Sequence, residues 1–284
     1  MRALVALVAV TGVWGVTFVQ VKDALELYPL FAFLAVRFAI ATLTLAPVAA
    51  PRLRGVGWKA GVTLGLLLAL GYALQTAGLE RTTVSSAGFI TGLYVVFTPL
   101  FAYSLFRIRV GRGVAAGVAL ALVGLGLLTG VGVGDPVGDL LVLAGSAAYS
   151  LQIALMERYA SRYDPVAFTF VEMLAALAGF AAIAVALGEL ELPRGATVWA
   201  ALLVTGVFAS ALAFLVQTWA QRQLSAARTA LAFAMEPAWT AVFGYTLAGD
   251  RLGALGWTGA ALIMAGIVVA EPAAGDALRR LLRR

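Results

Sequence analysis

Ala73-Leu74-Gln75-Thr76-Ala77 sits in one long apolar run, and Leu215-Val216-Gln217-Thr218-Trp219 sits in another much further along the chain. The shared Gln-Thr is one rung of a repeat. Trp14-Gly15 recurs as Tyr149-Ser150, Arg37 falls on Glu172, Pro99 on Pro237, and Gly117 and Gly124 on Gly259 and Gly266, at separations between 135 and 142. Each copy is expected to hold an odd number of membrane crossings. A unit with an odd number of crossings enters the bilayer the other way up when it is repeated. Two inverted units in one chain are associated with alternating access around a site near the midplane.

Composition supports the membrane setting. Of 284 residues, 62% are hydrophobic and 12% charged, and the charges cluster between long apolar runs. Such a balance belongs to a membrane chain rather than a soluble domain. The runs are too long for barrel strands, which alternate over about ten residues, so helices must satisfy the backbone in hydrocarbon. Runs of about 20 residues between charged or Pro/Gly breaks predict ten spans. They fall near 3–21, 29–50, 57–78, 84–106, 112–131, 137–156, 165–187, 197–219, 226–248 and 254–271. The expected fold is an all-α integral membrane protein of ten transmembrane helices in two inverted five-helix repeats. Residues 1–134 form the first repeat, 135–271 the second, and 272–284 a basic tail. The first span follows Arg2 without a convincing cleavage site and reads as a retained helix rather than a signal peptide.

Charge sets the direction. With the amino terminus in the cytoplasm, 15 cations fall inside and only Lys22, Arg81, Arg194 and Arg251 fall outside, the bias that the positive-inside rule demands. Both termini are then cytoplasmic, and Arg279, Arg280, Arg283 and Arg284 read as an orientation anchor near anionic lipid. The formal charge of +6 has the same origin, because the cations are spread over loops and no nucleic-acid partner is implied. The chain has no Cys and no His. Disulfides, thiolate sites, cysteine nucleophiles, the commonest metal ligand and the usual proton-transfer base are therefore excluded. No cofactor or metal is expected, Asp135 and Asp139 read as residues of an outer loop, and no phosphate-binding loop is present.

In order and spacing, Trp14-Gly15, Arg37, the run Ala87-Gly88-Phe89-Ile90-Thr91-Gly92-Leu93-Tyr94-Val95-Val96-Phe97-Thr98-Pro99, Glu236-Pro237, Gly249-Asp250-Arg251-Leu252 and Gly259 to Gly266 form one pattern. It covers essentially the whole chain and resembles the drug/metabolite transporter superfamily, and within it the EamA family of ten-helix carriers. Asp250 stands where Glu is usual, and Tyr149 stands where the first copy has Trp14. The resemblance implies export of amino acids or other small metabolites, with some members importing; the Ala/Arg/Gly/Val-heavy usage points to a GC-rich bacterial genome and so to a bacterial inner membrane.

Three charged residues fall deep within predicted spans, away from the span ends: Arg37, Glu172 and Glu236. A charge at mid-bilayer costs at least about 2.5–3.5 kcal/mol on insertion scales, so each needs a reason. Arg37 lies about eight residues into span 2 and Glu172 about seven into span 7, or ~12 Å and ~11 Å from opposite faces. In inverted copies both approach the midplane, which invites pairing across a pseudo-two-fold axis. One reading is a structural ion pair, or two charges with local polar partners. The other is a central cavity where Arg37 attracts a carboxylate and Glu172 an amine. Glu172 and Glu236 are candidates for proton coupling. Pro237 cannot donate to the Phe233 carbonyl, so span 9 should open there, and Pro99 marks a similar hinge in span 4.

Buried amides need polar company in a bilayer. The candidate substrate contacts are therefore Trp14, Arg37, Gln75, Tyr94, Tyr149, Gln152, Glu172 and Gln217. Gly61/Gly65, Gly88/Gly92, Gly113/Gly117 and Gly126/Gly130 give small-residue faces for close helix approach. The expected partners are a small-molecule substrate and the lipid bilayer, for a monomer or weak homodimer. A channel is the alternative, since polar residues could line a pore; a membrane enzyme lacks its usual residues.

Overall fold

The computed structural model describes residues 1–82, 84–129, 135–239, 242 and 253–270, and every regular element among them is helical. The end of the ninth predicted span, Gly249-Asp250-Arg251-Leu252 and the basic tail lie outside the described residues. The helices are α1 (Arg2–Leu25), α2 (Leu30–Ala49), α3 (Trp58–Leu79), α4 (Val84–Gly92), α5 (Tyr94–Phe106), α6 (Arg112–Thr129), α7 (Pro136–Tyr159) and α8 (Pro165–Leu187). Then come α9 (Ala196–Leu203), a π-helical segment (Val204–Leu212), α10 (Ala213–Ala220), α11 (Ala226–Phe233) and α12 (Ala254–Ala270). Among the described residues, six stretches are long and apolar enough to cross a bilayer: Leu30–Arg52, Trp58–Leu79, Ser86–Phe106, Pro136–Tyr159, Pro165–Leu187 and Ala196–Ala220. Shorter apolar helices lie at Arg2–Thr17, Arg112–Leu127 and Ala254–Ala270. Large apolar side chains such as Leu43, Leu66, Leu100, Phe208 and Val268 point outward, as the lipid-facing surface of such a bundle requires.

Local chemistry sets the helix ends. Asp135 accepts from the Gly138 N–H, and Asp164 accepts from those of Val166 and Ala167, each followed by Pro at the first helical position. These side chains satisfy donors that a helix start leaves unpaired. Asp139, read from the sequence as a loop residue, lies in the first turn of α7 and accepts from Thr82 and Ser86. The start of α2 has only Pro29 before it; there Glu189, beyond the end of α8, accepts the Phe31 N–H at 3.2 Å.

Helix packing follows the repeat. α2 packs on α8, α5 on α11 and α6 on α12; α3 packs on α7, and α1 on the π segment and α10. The glycines explain the closest approaches. A Cβ on Gly117 would lie 2.5 Å from the Gly266 carbonyl, and one on Gly124 would lie 2.6 Å from that of Gly259. The repeat-equivalent pairs thus meet crosswise, as an antiparallel pair of equivalent helices requires. Gly65 opens α3 to the Glu172 carbonyl of α8 in the same way, at 2.4 Å. Among the described residues, Gly88 faces open space and Gly126 touches only Phe89 at 4.0 Å, so neither serves close packing there.

The fourth predicted span is interrupted at Leu93, whose N–H bonds the Ile90 carbonyl in a tight turn, whereas the helix runs through Pro99. The break in this span expected at Pro99 is found six residues earlier in the chain, beside Gly92, which carries no side chain to hold the turn. In the ninth span α11 stops at Phe233, four residues before Pro237, and residues 236–239 resume the helix. That is where the missing proline donor frees a carbonyl.

Candidate functional site

An open-mouthed chamber lies between the two halves. Its walls come from α1 (Trp14, Thr17, Val21), α2 (Arg37), α3 (Tyr72, Gln75, Thr76, Leu79), α4 and α5 (Thr91, Tyr94), α7 (Tyr149, Gln152, Ile153), α10 (Phe214, Gln217), α11 (Phe233) and Glu236. Every substrate contact proposed from the sequence lines it except Glu172.

Arg37 is 5% exposed and held on two sides. Its Nε donates to Ser210 Oγ at 2.8 Å, its Nη2 donates to the Tyr72 hydroxyl at 3.0 Å, and its guanidinium lies 4.6 Å from the centre of the Tyr72 ring. Ser210 belongs to the π-helical segment, and the preceding residue, Ala209, accepts the Trp14 indole N–H at 2.8 Å. The wide turn therefore presents adjacent residues to the chamber's cation and to its indole; π turns recur at such positions. Gly206 lets this segment press on α2, since a Cβ there would lie 2.7 Å from Ile40 and 3.0 Å from the Arg37 carbonyl.

Glu172 is buried behind the lining. One of its carboxyl oxygens accepts from the Gln152 amide at 2.9 Å, and the other has no hydrogen-bond partner among the described residues. The pairing with Arg37 that the sequence invites is not made. Arg37 bonds Ser210 and Tyr72 instead, and the acid bonds an amide through one oxygen. The acid that does line the chamber is Glu236, placed just after the break in the ninth span, with the Tyr94 hydroxyl donating to it across a long 3.5 Å.

The amides are locked. Gln75 donates to Thr91 and accepts from Tyr149; Gln217 donates to both Gln152 and Gln221; Gln221 donates to the Ile153 carbonyl. Just beyond, Glu157 accepts the Ala226 N–H at 2.8 Å. The end of α7 is thus stitched by three polar rungs to the junction of α10 and α11. At the opposite end, where α1 and α3 finish, Thr17, Val21, Thr76 and Leu79 line the chamber. Nearby, Glu80 is pushed above the usual carboxylate range by burial and by the neighbouring Glu189, partly opposed by Arg81.

Sequence reasoning missed Tyr72, Phe214, Phe233, Ser210 and Gln221. Tyr72 and Phe214 each stand three residues before the Gln of the repeated Gln-Thr, which places them about one helical turn away on the same face. That spacing is the signal that could have found them. Ser210 carries none, because its reach to Arg37 depends on the π turn.

Apolar helices of spanning length around a chamber with polar groups fit a membrane transporter, working in a bilayer on a small molecule. The profile of the EamA-like transporter family matches residues 1–130 and again residues 136–270, and the chain belongs to that family. An "uncharacterized transporter" of Archaeoglobus fulgidus is 33% identical over 94% of this chain and 83% of its own length. The "uncharacterized transporter YyaM" of Bacillus subtilis is 22% identical over 74% of this chain and 72% of its own. A solved crystal structure shares the fold at a TM-score of 0.78, with 21% identity, covering 99% of this chain and 98% of that one.

Proposed function

We propose that the protein is a secondary carrier that moves a small zwitterionic metabolite, an amino acid or a related compound, out of a bacterial cell by alternating access. Its ten spans form two inverted five-helix repeats in the inner membrane, with both termini cytoplasmic, working as a monomer or weak homodimer without cofactor or catalytic chemistry. The observation that carries the reading is the chamber itself, a mainly aromatic and apolar space with Arg37 on one wall and Glu236 on another. Arg37 takes the carboxylate, Glu236 takes the place first given to Glu172 opposite the amine, and the aromatic walls enclose the body. Trp14, Gln75, Tyr94, Tyr149, Gln152 and Gln217 complete the contacts. Proton coupling falls to Glu236, with Glu172 held in reserve behind Gln152.

The crosswise meeting of Gly117 with Gly266 and of Gly124 with Gly259 supports the inversion. The three-rung seam supports a state closed on the side where α7 ends, the cytoplasmic side by the charge bias. Proteoliposomes test the class: saturable amino-acid flux accelerated by substrate on the far side is expected, and a non-saturating conductance would identify a channel.

A further inference from the structure

We propose that Tyr72 is a substrate-contacting residue that donates its hydroxyl proton to the anionic group beside Arg37, and that Ser210 positions Arg37 for the same task. The inference rests on the carrier reading above and deepens it. A phenol has one O–H to donate and lone pairs with which to accept. The Tyr72 oxygen accepts from Arg37 Nη2 at 3.0 Å, so its lone pair is used and its proton remains to be given. Arg37 has five N–H donors; Ser210 and Tyr72 engage two nitrogens of the guanidinium, and the residue lines the chamber.

Tyr149 has the opposite polarity. Its hydroxyl donates to Gln75 Oε1 at 3.0 Å, and Gln75 is held in that orientation because its own amide donates to Thr91. Tyr149 therefore presents lone pairs to the chamber. Thr17 does likewise, since its hydroxyl donates to the Trp14 carbonyl at 2.9 Å. The two edge-to-face tyrosines, with ring centres 5.4 Å apart, thus form a donor pole and an acceptor pole. A bound zwitterion has its carboxylate at Arg37 and Tyr72 and its ammonium toward Tyr149, Thr17 and Glu236.

The test uses the full-length protein in proteoliposomes with a ¹⁴C-labelled amino-acid hydrolysate as probe. The transported component is then measured singly against its own methyl ester as competitor. A hydrogen bond to a charged group is strong enough that Tyr72→Phe should raise KM roughly tenfold while Vmax holds. The preference for acid over ester should fall by the same factor. Ser210→Ala should act in the same direction, and Ser210→Thr, which keeps the hydroxyl, should restore the wild-type KM. Tyr149→Phe should leave the acid-over-ester preference unchanged, whatever it does to the rate. Tyr72→Phe protein that keeps the native KM and the native preference would overturn the inference while the carrier reading stands. Wild-type protein that takes up none of the labelled amino acids would overturn both.

Discussion

Arg37 shows how a buried charge is accommodated without a counter-charge. A serine and a tyrosine accept from it, an aromatic ring lies beside it, and the residue lines the chamber. Removing it should therefore spoil transport more than folding. Arg37→Leu is expected to cut flux at least tenfold, on the scale of one lost hydrogen bond to a charge, with the monodisperse yield in detergent maintained. Glu236→Gln should flatten the pH dependence of transport, and an unchanged profile would remove Glu236 from proton coupling. Glu80 lies outside the spans and gives a stability prediction. Its folded value is raised above the usual 4.5 by burial and Glu189. The native state therefore holds the proton more tightly than the unfolded chain, and stability falls as pH rises through the interval between the two values. Thermal melts should show Glu80→Gln more stable than wild type at pH 7.5, with the gap closing below pH 4.

At the scale of the element, the sequence showed where helices run and which polar residues face inward, because apolar run length and the cost of buried amides are local properties. Trp14, Gln75, Gln152 and Gln217 were legible for that reason. The π segment at Val204–Leu212 and the turn at Leu93 were not legible, because both depend on what presses against the helix rather than on its own residues. The exchange of Glu172 for Glu236 on the chamber wall has the same origin: depth was readable from span position, whereas rotation about the helix axis was not. Glycine contacts were legible in part. Gly117 meets the repeat counterpart of Gly124, and Gly124 that of Gly117, while Gly88 meets nothing within 4 Å among the described residues. Gly117→Ala or Gly124→Ala should force α6 away from α12 and cost about 1–3 kcal/mol, the usual range for overpacking. The same change at Gly88 should leave the melting temperature within a degree.

Across the whole molecule the halves are alike in plan and unlike at their seams. Gln221 and Glu157 stitch the end of α7 to the α10–α11 junction, whereas their counterparts in the first repeat are Leu79 and Lys22. Leu79 cannot form the corresponding rung. The resting protein should thus admit reagent from the α1/α3 end. The natural absence of cysteine makes this directly measurable. Leu79→Cys should be labelled from outside by a membrane-impermeant maleimide, and Ile153→Cys should resist labelling from the cytoplasm until Gln221→Leu and Glu157→Gln open that seam. Tags on the two chain ends should report the same side of the membrane.

For the proposed alternation between two states, the π turn supplies a mechanical signature. Trp14 and Arg37, both contributed by the first repeat, hang from neighbouring residues of a helix in the second. Rewinding Val204–Leu212 to α pitch would rotate Ala209 and Ser210 together and release the indole and the guanidinium in one stroke. A single deletion inside that coil should therefore act like a disengaged clutch, leaving two folded halves that no longer transmit torque to each other.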